Sequence, residues 1–275
     1  LINSIRIAVF AEGALKEEAL QAQKLLSEAG ILSEVSEVED PTALLRGDID
    51  VFPVDMATLP PFLPEGWKIA AVSGRRDPGD VLLVRPDAKA AGQLFGLPAQ
   101  ALVGCFSSLQ MAQFVDFRPD LEVTRVGEDS AATALALLRE GQLDGLLIPA
   151  HIAFSFSRDF LPFQVTRLHP MEMVPLPAQG VTAWITFAGD TATQRLLKSI
   201  HHPGVSAVTN IERMALRHLG HDAFGAFGAY CTRDANGNYH LCAAYVAQQR
   251  GVLQRATLSS STNFRLAERI VASFS

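Results

Sequence analysis

The feature that most constrains this chain is a hydrophobic period that alternates, twice over in the first half, between that of a strand and that of a helix. Ile5, Ile7 and Val9 alternate with Arg6 and Ala8, which predicts a strand. Leu15, Ala19, Ala22 and Leu26 then recur at helical spacing, and Gly30 fits a helix C-terminal cap. Residues 31–38 predict a second strand, Ala43–Arg46 a short helix, and Ile49–Val54 a buried strand. This β-α-β-α-β order with short links predicts a parallel sheet with helices on its faces. The Pro-rich run from Pro60 to Pro64 closes the unit, and the pattern recurs. Strands are predicted at Val81–Val84, Ala101–Gly104, Glu122–Val126 and Leu143–Ile148, with helices over Ser107–Phe117 and Ala131–Glu140, the latter capped by Gly141.

A second Pro-rich stretch, His169 to Gly180, precedes a C-terminal third of different character. Helices are predicted near Thr191–Ile200 and Ser206–Leu219. Three strands follow, with a hairpin turn at Asn236-Gly237, and then a helix near Asn263–Phe274. The fold class is therefore α/β, with two α/β lobes and a small C-terminal α+β domain. At 275 residues the chain exceeds what one core normally supports. Net charge is −6, from 23 basic and 29 acidic residues, which argues against nucleic-acid and anionic-membrane partners. No run approaches the roughly 20 apolar residues of a membrane span. Cys105, Cys231 and Cys242 form neither a disulfide framework nor a metal-binding spacing. That cysteine usage makes a reducing cytoplasm the expectation. The chain starts at Leu1 without Met or a signal-like basic segment, which leaves a processed or trimmed start open.

Several segments taken in order resemble hydroxymethylbilane synthase (porphobilinogen deaminase). Asp50 to Asp80 is similar to D-I-A-V-H-S-M-K-D-V-P-T-x-L-P-E-G followed by E-R-x-D-P-R-D. Leu97 to Leu121 is similar to L-P-x-G-x-x-V-G-T-S-S-L-R-R-x-A-Q and R-P-D-L. Glu140 to Asp144 resembles E-G-x-Y-D, Pro177 to Gly180 P-G-Q-G, Ile211 to Arg213 A-E-R, and Gly228 to Tyr230 the end of C-x-x-P-I-G-A-Y. The resemblance implies two lobes of the periplasmic-binding-protein type (type II) around a cleft. Lobe 1 would comprise residues 1–80 and 175–195, lobe 2 residues 81–174, and the third domain residues 196–275.

The departures fall on chemistry. The resemblance implies a cysteine carrying a dipyrromethane primer through a thioether, but that position is Ala223. Without a thiolate no such bond forms, so no cofactor is expected. The family's Lys-Asp pair, whose carboxylate stabilises a cationic azafulvene, becomes Ala57 and Thr58, with Asp55 as a displaced substitute. Five arginine positions that would hold substrate carboxylates become Phe10, Leu109, Gln110, Glu128 and Ala134, and Glu12 adds a charge of the wrong sign. Each charge-assisted bond to a carboxylate is worth roughly 1.5–3 kcal/mol, so most polyanion affinity should be forfeited.

The expectation is a non-catalytic or altered homologue whose cleft, lined by Phe10, Glu12, Asp55, Thr58, Leu109, Gln110, Glu128 and Ala134, takes an unknown small molecule or protein. Glu12, Asp55 and Glu128 would suit a cationic ligand. The rivals are an active deaminase using relocated residues and a two-lobed solute or effector receptor. His201-His202 and His218-Leu219-Gly220-His221 lack a third ligand at helical spacing, so no metal is expected. Ser107-Ser108 and Ser259-Ser260-Ser261 lack a nucleophile elbow. Phe154, Phe156, Phe160 and Phe163 read as packing, and Arg75-Arg76 as a turn pair flanked by Asp77 and Asp80.

Overall fold

The structure, a computed structural model, describes residues 4–10, 14–40, 42–126, 131–153, 162–247 and 251–274. Its contacts group the chain into two compact units, Leu1–Arg76 with Gly180–Ala207, and Asp77–Gln179 with Val208–Ser275.

The first unit is built on one sheet. β1 (Ser4–Val9) pairs in parallel with β2 (Leu32–Glu37) and β3 (Val51–Asp55), as the alternating pattern requires. α1 (Ala14–Glu28) turns Ala19, Ala22 and Leu26 onto Ile5, Ile7, Val9 and Val51. It stops where Gly30 takes φ +77° and the Ile31 N–H returns to the Leu26 carbonyl. α2 (Ala43–Arg46) is a single turn before β3. The sheet is completed by β4 (Trp67–Val72) and, from much later in the chain, β10 (Thr182–Phe187), neither of which the sequence pattern marked. Its order is β2-β1-β3-β10-β4.

The second unit repeats this arrangement. β5 (Asp80–Val84), β6 (Leu102–Cys105), β7 (Glu122–Arg125), β8 (Gly145–Pro149) and β9 (Gln164–Leu168) form a sheet ordered β7-β6-β8-β5-β9. α3 (Ser108–Phe117), α4 (Ala131–Arg139) and the short α5 (Ala150–Ala153) accompany it. Val81 and Leu83 face one core with Leu135, Leu138 and Leu146. Leu82 and Val84 face the other, with Val103, Phe114 and Leu147. Burial on both faces is why β5 and β8 read as continuous apolar runs. β10 (Thr182–Phe187) returns to the first unit, running antiparallel to β3 and β4, just as β5 runs antiparallel to β8 and β9. Each sheet is therefore mixed rather than purely parallel. Its antiparallel strand is the one that begins within a few residues of a crossover between units.

The predicted helix over Thr191–Ile200 is α6 (Thr191–Leu196) followed by a 3-10 turn. α7 (Pro203–Leu219) is followed by the antiparallel sheet β11 (Phe227–Arg233), β12 (Tyr239–Val246) and β13 (Leu253–Ser260). The hairpin turns as expected: Gly237 has φ +88°, and the Asp234 carboxylate accepts the N–H groups of Asn236 and Asn238. α7 and α8 (Leu266–Val271) cover one face through Ile211, Ala215, Leu216, Leu266 and Ile270. Among the described residues no helix is long and apolar enough to cross a membrane.

Candidate functional site

In the first unit, the residues singled out from sequence cluster at the ends of β1 and β3. Phe10 follows β1, and its ring meets Phe52 edge-on at 5.0 Å, so it extends an aromatic row that continues to Trp67. Asp55 ends β3 and caps a 3-10 turn: the Ala57 N–H donates to its Oδ1 at 3.0 Å. Ala57 is buried, while Thr58 is exposed and its hydroxyl donates to the Asp55 carbonyl at 2.8 Å. The Asp55 carboxylate thus has a local structural task. Glu12 lies outside the described residues.

In the second unit, three expected cleft-lining side chains lie inside packing instead. Leu109 is 1% exposed and joins Val174, Cys242 and Ala244 in a cluster. Ala134 is buried under the sheet with Leu135 and Leu138. Gln110 is buried by polar bonds at the start of α3: its N–H donates to the Ser107 hydroxyl, and its Oε1 accepts the Phe106 N–H at 2.9 Å. This is close to a capping box, whose Ser-x-x-Gln signature was readable in the sequence. Glu128 lies outside the described residues. Ala223 is fully buried, in a 3-10 turn packed with Leu216 and Phe227. The three cysteines are also buried. Burial pushes the Cys105 thiol up to about 12 and raises that of Cys242.

A buried polar group that the sequence did not reveal lies at the start of β5. Asp80, expected to flank a turn, is 2% exposed. Its carboxylate accepts the Gln179 amide at 2.9 Å and bonds Gln110, near His151 and Asp77. Desolvation raises its pKa above the ordinary carboxylate value, against the pull of both glutamines. The Gln179 amide also donates to the carbonyls of Pro78 (2.8 Å) and Gly79 (3.1 Å). Beside it, Ala178 has φ +65°, where a side chain is strained. Its N–H donates to Glu212 Oε2 at 2.7 Å, while Glu212 Oε1 accepts the Cys231 N–H at 2.7 Å. Gly228 fits β11 closely against this segment. A Cβ there would stand 2.7 Å from the Pro175 carbonyl and 2.5 Å from Leu109.

Arg75 and Arg76 are not a bare turn pair. With Glu17 and Glu18 of α1 they line a cavity of about 480 Å³ within the first unit. The Arg76 Nε stands 3.5 Å from Glu18 Oε1. Among the described residues, no group of three or more His, Cys, Asp or Glu side chains could hold a metal ion. His201 Nδ1 accepts the Val72 N–H at 3.2 Å, and burial lowers its pKa. His218 faces Glu268 at 3.7 Å. Phe163 is core, whereas Phe154, Phe156 and Phe160 lie outside the described residues.

A family model described as porphobilinogen deaminase, dipyromethane cofactor binding domain, matches residues 22–195. The porphobilinogen deaminase of Thermus thermophilus is 35% identical over 207 residues, 75% of this chain and 66% of that protein. That of Desulforudis audaxviator is 36% identical over 178 residues, 64% of this chain and 55% of the relative. A probable porphobilinogen deaminase of Methanosarcina acetivorans is 32% identical over 201 residues, 73% of this chain and 60% of the relative. The matched stretch thus spans between 55% and 66% of these relatives' lengths. Among solved structures, the periplasmic VFT2 domain of Bordetella pertussis BvgS aligns over 79% of this chain and 93% of its own, at 18% identity and TM-score 0.46.

Proposed function

This chain belongs to the porphobilinogen deaminase family, and we propose that it is a member that has kept the scaffold without the deaminase chemistry, binding a small ligand in the reducing cytoplasm. The observation that carries this is Ala223. At the position where the family resemblance puts the primer-bearing cysteine, the chain has a methyl group that is fully buried. The residues present do not fit a dipyrromethane. Thioether formation needs an accessible thiolate, whereas Cys105, Cys231 and Cys242 are at most 6% exposed, and burial raises the pKa of Cys105 and Cys242.

Two further features support the reading. Stabilising a cation formed as ammonia departs requires a carboxylate aimed at it. Thr58 offers only a hydroxyl, already directed to the Asp55 carbonyl, and the Asp55 carboxylate is engaged with the Ala57 N–H. Polyanion binding needs guanidinium donors. Leu109 and Ala134 are instead core side chains, and Gln110 is committed to a helix cap.

The test is intact-mass spectrometry of the purified chain together with an Ehrlich-reagent assay of porphobilinogen consumption. The expected result is a mass equal to that of the polypeptide and no consumption above background. A covalent adduct of dipyrromethane size, or turnover without one, would overturn the proposal, the latter in favour of a deaminase with relocated residues.

A further inference from the structure

The cavity of the first unit opens between α1 and the segment that follows β4. Among the described residues lining it, the charged ones are Glu17 and Glu18 on the helix side and Arg75 and Arg76 on the other. Leu25 and Trp184 add apolar wall, Trp184 being 2% exposed. The charges therefore balance, two against two, around one space.

The Glu18–Arg76 pair is loose. Its 3.5 Å separation exceeds the roughly 2.7–2.9 Å of a charge-assisted hydrogen bond, and the buried Arg76 Nε has no hydrogen-bond acceptor. That Nε is closed off from solvent, and among the described residues Glu18 is the one carboxylate in ion-pair reach of the Arg76 guanidinium. The Arg76 backbone is anchored, since its N–H donates to the Gly180 carbonyl at 2.8 Å. The guanidinium thus hangs from a fixed point and can take up an acceptor without rebuilding the loop.

A simple anion would meet two carboxylates, and a simple cation two guanidiniums. A ligand carrying both charges on a short frame matches both pairs, with its ammonium toward Glu17 and Glu18 and its carboxylate toward Arg75 and Arg76. The apolar wall suits a hydrocarbon side chain. We propose that this cavity binds a small zwitterion with an apolar body, of the class of free aliphatic α-amino acids. About 480 Å³ lies within the usual range of ligand pockets, roughly 300–1,000 Å³, and leaves room for bridging waters. The inference deepens the ligand-binding reading above by naming the ligand class and the place.

The experiment is isothermal titration calorimetry on the full chain with L-leucine as probe. N-acetyl-L-leucine and L-leucinamide, which each lack one charge, serve as controls. Saturable binding of L-leucine is expected, with both analogues at least about tenfold weaker. Glu18→Gln and Arg76→Gln should each weaken L-leucine about tenfold or more while melting within a few degrees of the parent. No heat at about 10 mM L-leucine, or equal binding of the single-charge analogues, overturns the proposal. The analogue comparison uses the unaltered chain, so it decides even where a variant does not fold. A pyrrole adduct in the mass spectrum would sink the non-deaminating reading alone, whereas absence of L-leucine binding by an unmodified chain sinks only this one.

Discussion

Glu212→Ala tests the packing logic of the second unit most directly. The Glu212 side chain is fully buried and accepts two backbone N–H groups at 2.7 Å, one from Ala178 and one from Cys231. Truncation orphans both donors, and each buried unsatisfied group costs about 1–3 kcal/mol, or about 2–6 kcal/mol together. A domain is stable by only about 5–15 kcal/mol, so this is a large share. The strained Ala178 would also lose the bond that holds its left-handed backbone in place. Glu212→Gln keeps the shape and one acceptor oxygen, but turns an NH₂ toward the other N–H. It should cost roughly half as much, about 1–3 kcal/mol, the cost of one orphaned donor. Urea unfolding followed by far-UV circular dichroism and by the near-UV signal of Tyr230, Tyr239 and Tyr245, which all lie in the second unit, measures both variants, with unchanged m-values as the check on comparability. Hydrogen exchange at Ala178 and Cys231 locates the effect. A Glu212→Ala loss below about 0.5 kcal/mol, the level of an ordinary surface change, would refute the reasoning. So would Glu212→Gln costing as much as Glu212→Ala.

Ala178→Gly should be nearly neutral in the same assay: relief of about 1–2 kcal/mol of left-handed strain offsets a lost buried methyl and added chain entropy. Ala243→Gly, equally buried but inside β12, should cost about 1.5 kcal/mol, and equal losses at the two sites would contradict this. Asp80 has a folded-state pKa raised by burial, so the native state holds its proton more tightly than the unfolded chain. Its contribution is greatest below the ordinary value of 3.8 and is lost as pH rises from there through the folded pKa. Asp80→Asn should therefore gain melting temperature relative to the parent at neutral pH, with the gap closing in acid, and a gap that widens in acid refutes the assignment. Native chain should show no fast thiol toward Ellman's reagent and three after denaturation, since Cys105, Cys231 and Cys242 are all buried. One fast native thiol would reopen the question of an attachment site.

Much of the fold could be read from local pattern. Ile5, Ile7 and Val9 mark β1, the 15–26 spacing marks α1, and Asn236-Gly237 marks a turn, each because its determinant lies within a few residues. The strands that escaped notice are β4, β9 and β10: the first two are edge members whose residues are mostly half-exposed or exposed, whereas β10 lies between β3 and β4 with five of its six residues buried, so neither kind shows a contrast between faces. The site was less legible. Asp80 beside Pro78 and Gly79 looks like a turn residue. What buries it is Gln179, 99 positions away, and no local signal reports that. Leu109 and Gln110 illustrate the converse. Read against the family's arginines they suggested altered lining, yet Leu109 is drawn inward by Val174 and Ala244 across the fold, and Gln110 by Phe106 next door.

The distribution of what is retained follows from the cost of changing it. Glu212 serves two buried N–H groups. The Arg118 guanidinium bonds Asp120 through two 2.6 Å contacts while donating to the Leu94 and Leu97 carbonyls. Gln179 ties three acceptors at the start of β5. Removing any of these leaves buried polar groups without the partners named, which costs the fold about 1–3 kcal/mol for each group. A guanidinium serving only a ligand has no such internal dependants. Its replacement by a Leu that packs or a Gln that caps costs the scaffold nothing and can stabilise it. On the proposed reading, the family motifs around Glu212, Arg118 and Gln179 and the departures from the family's residues at Leu109, Gln110 and Ala223 are two outcomes of one rule, which is whether a side chain's partners are inside the protein or outside it.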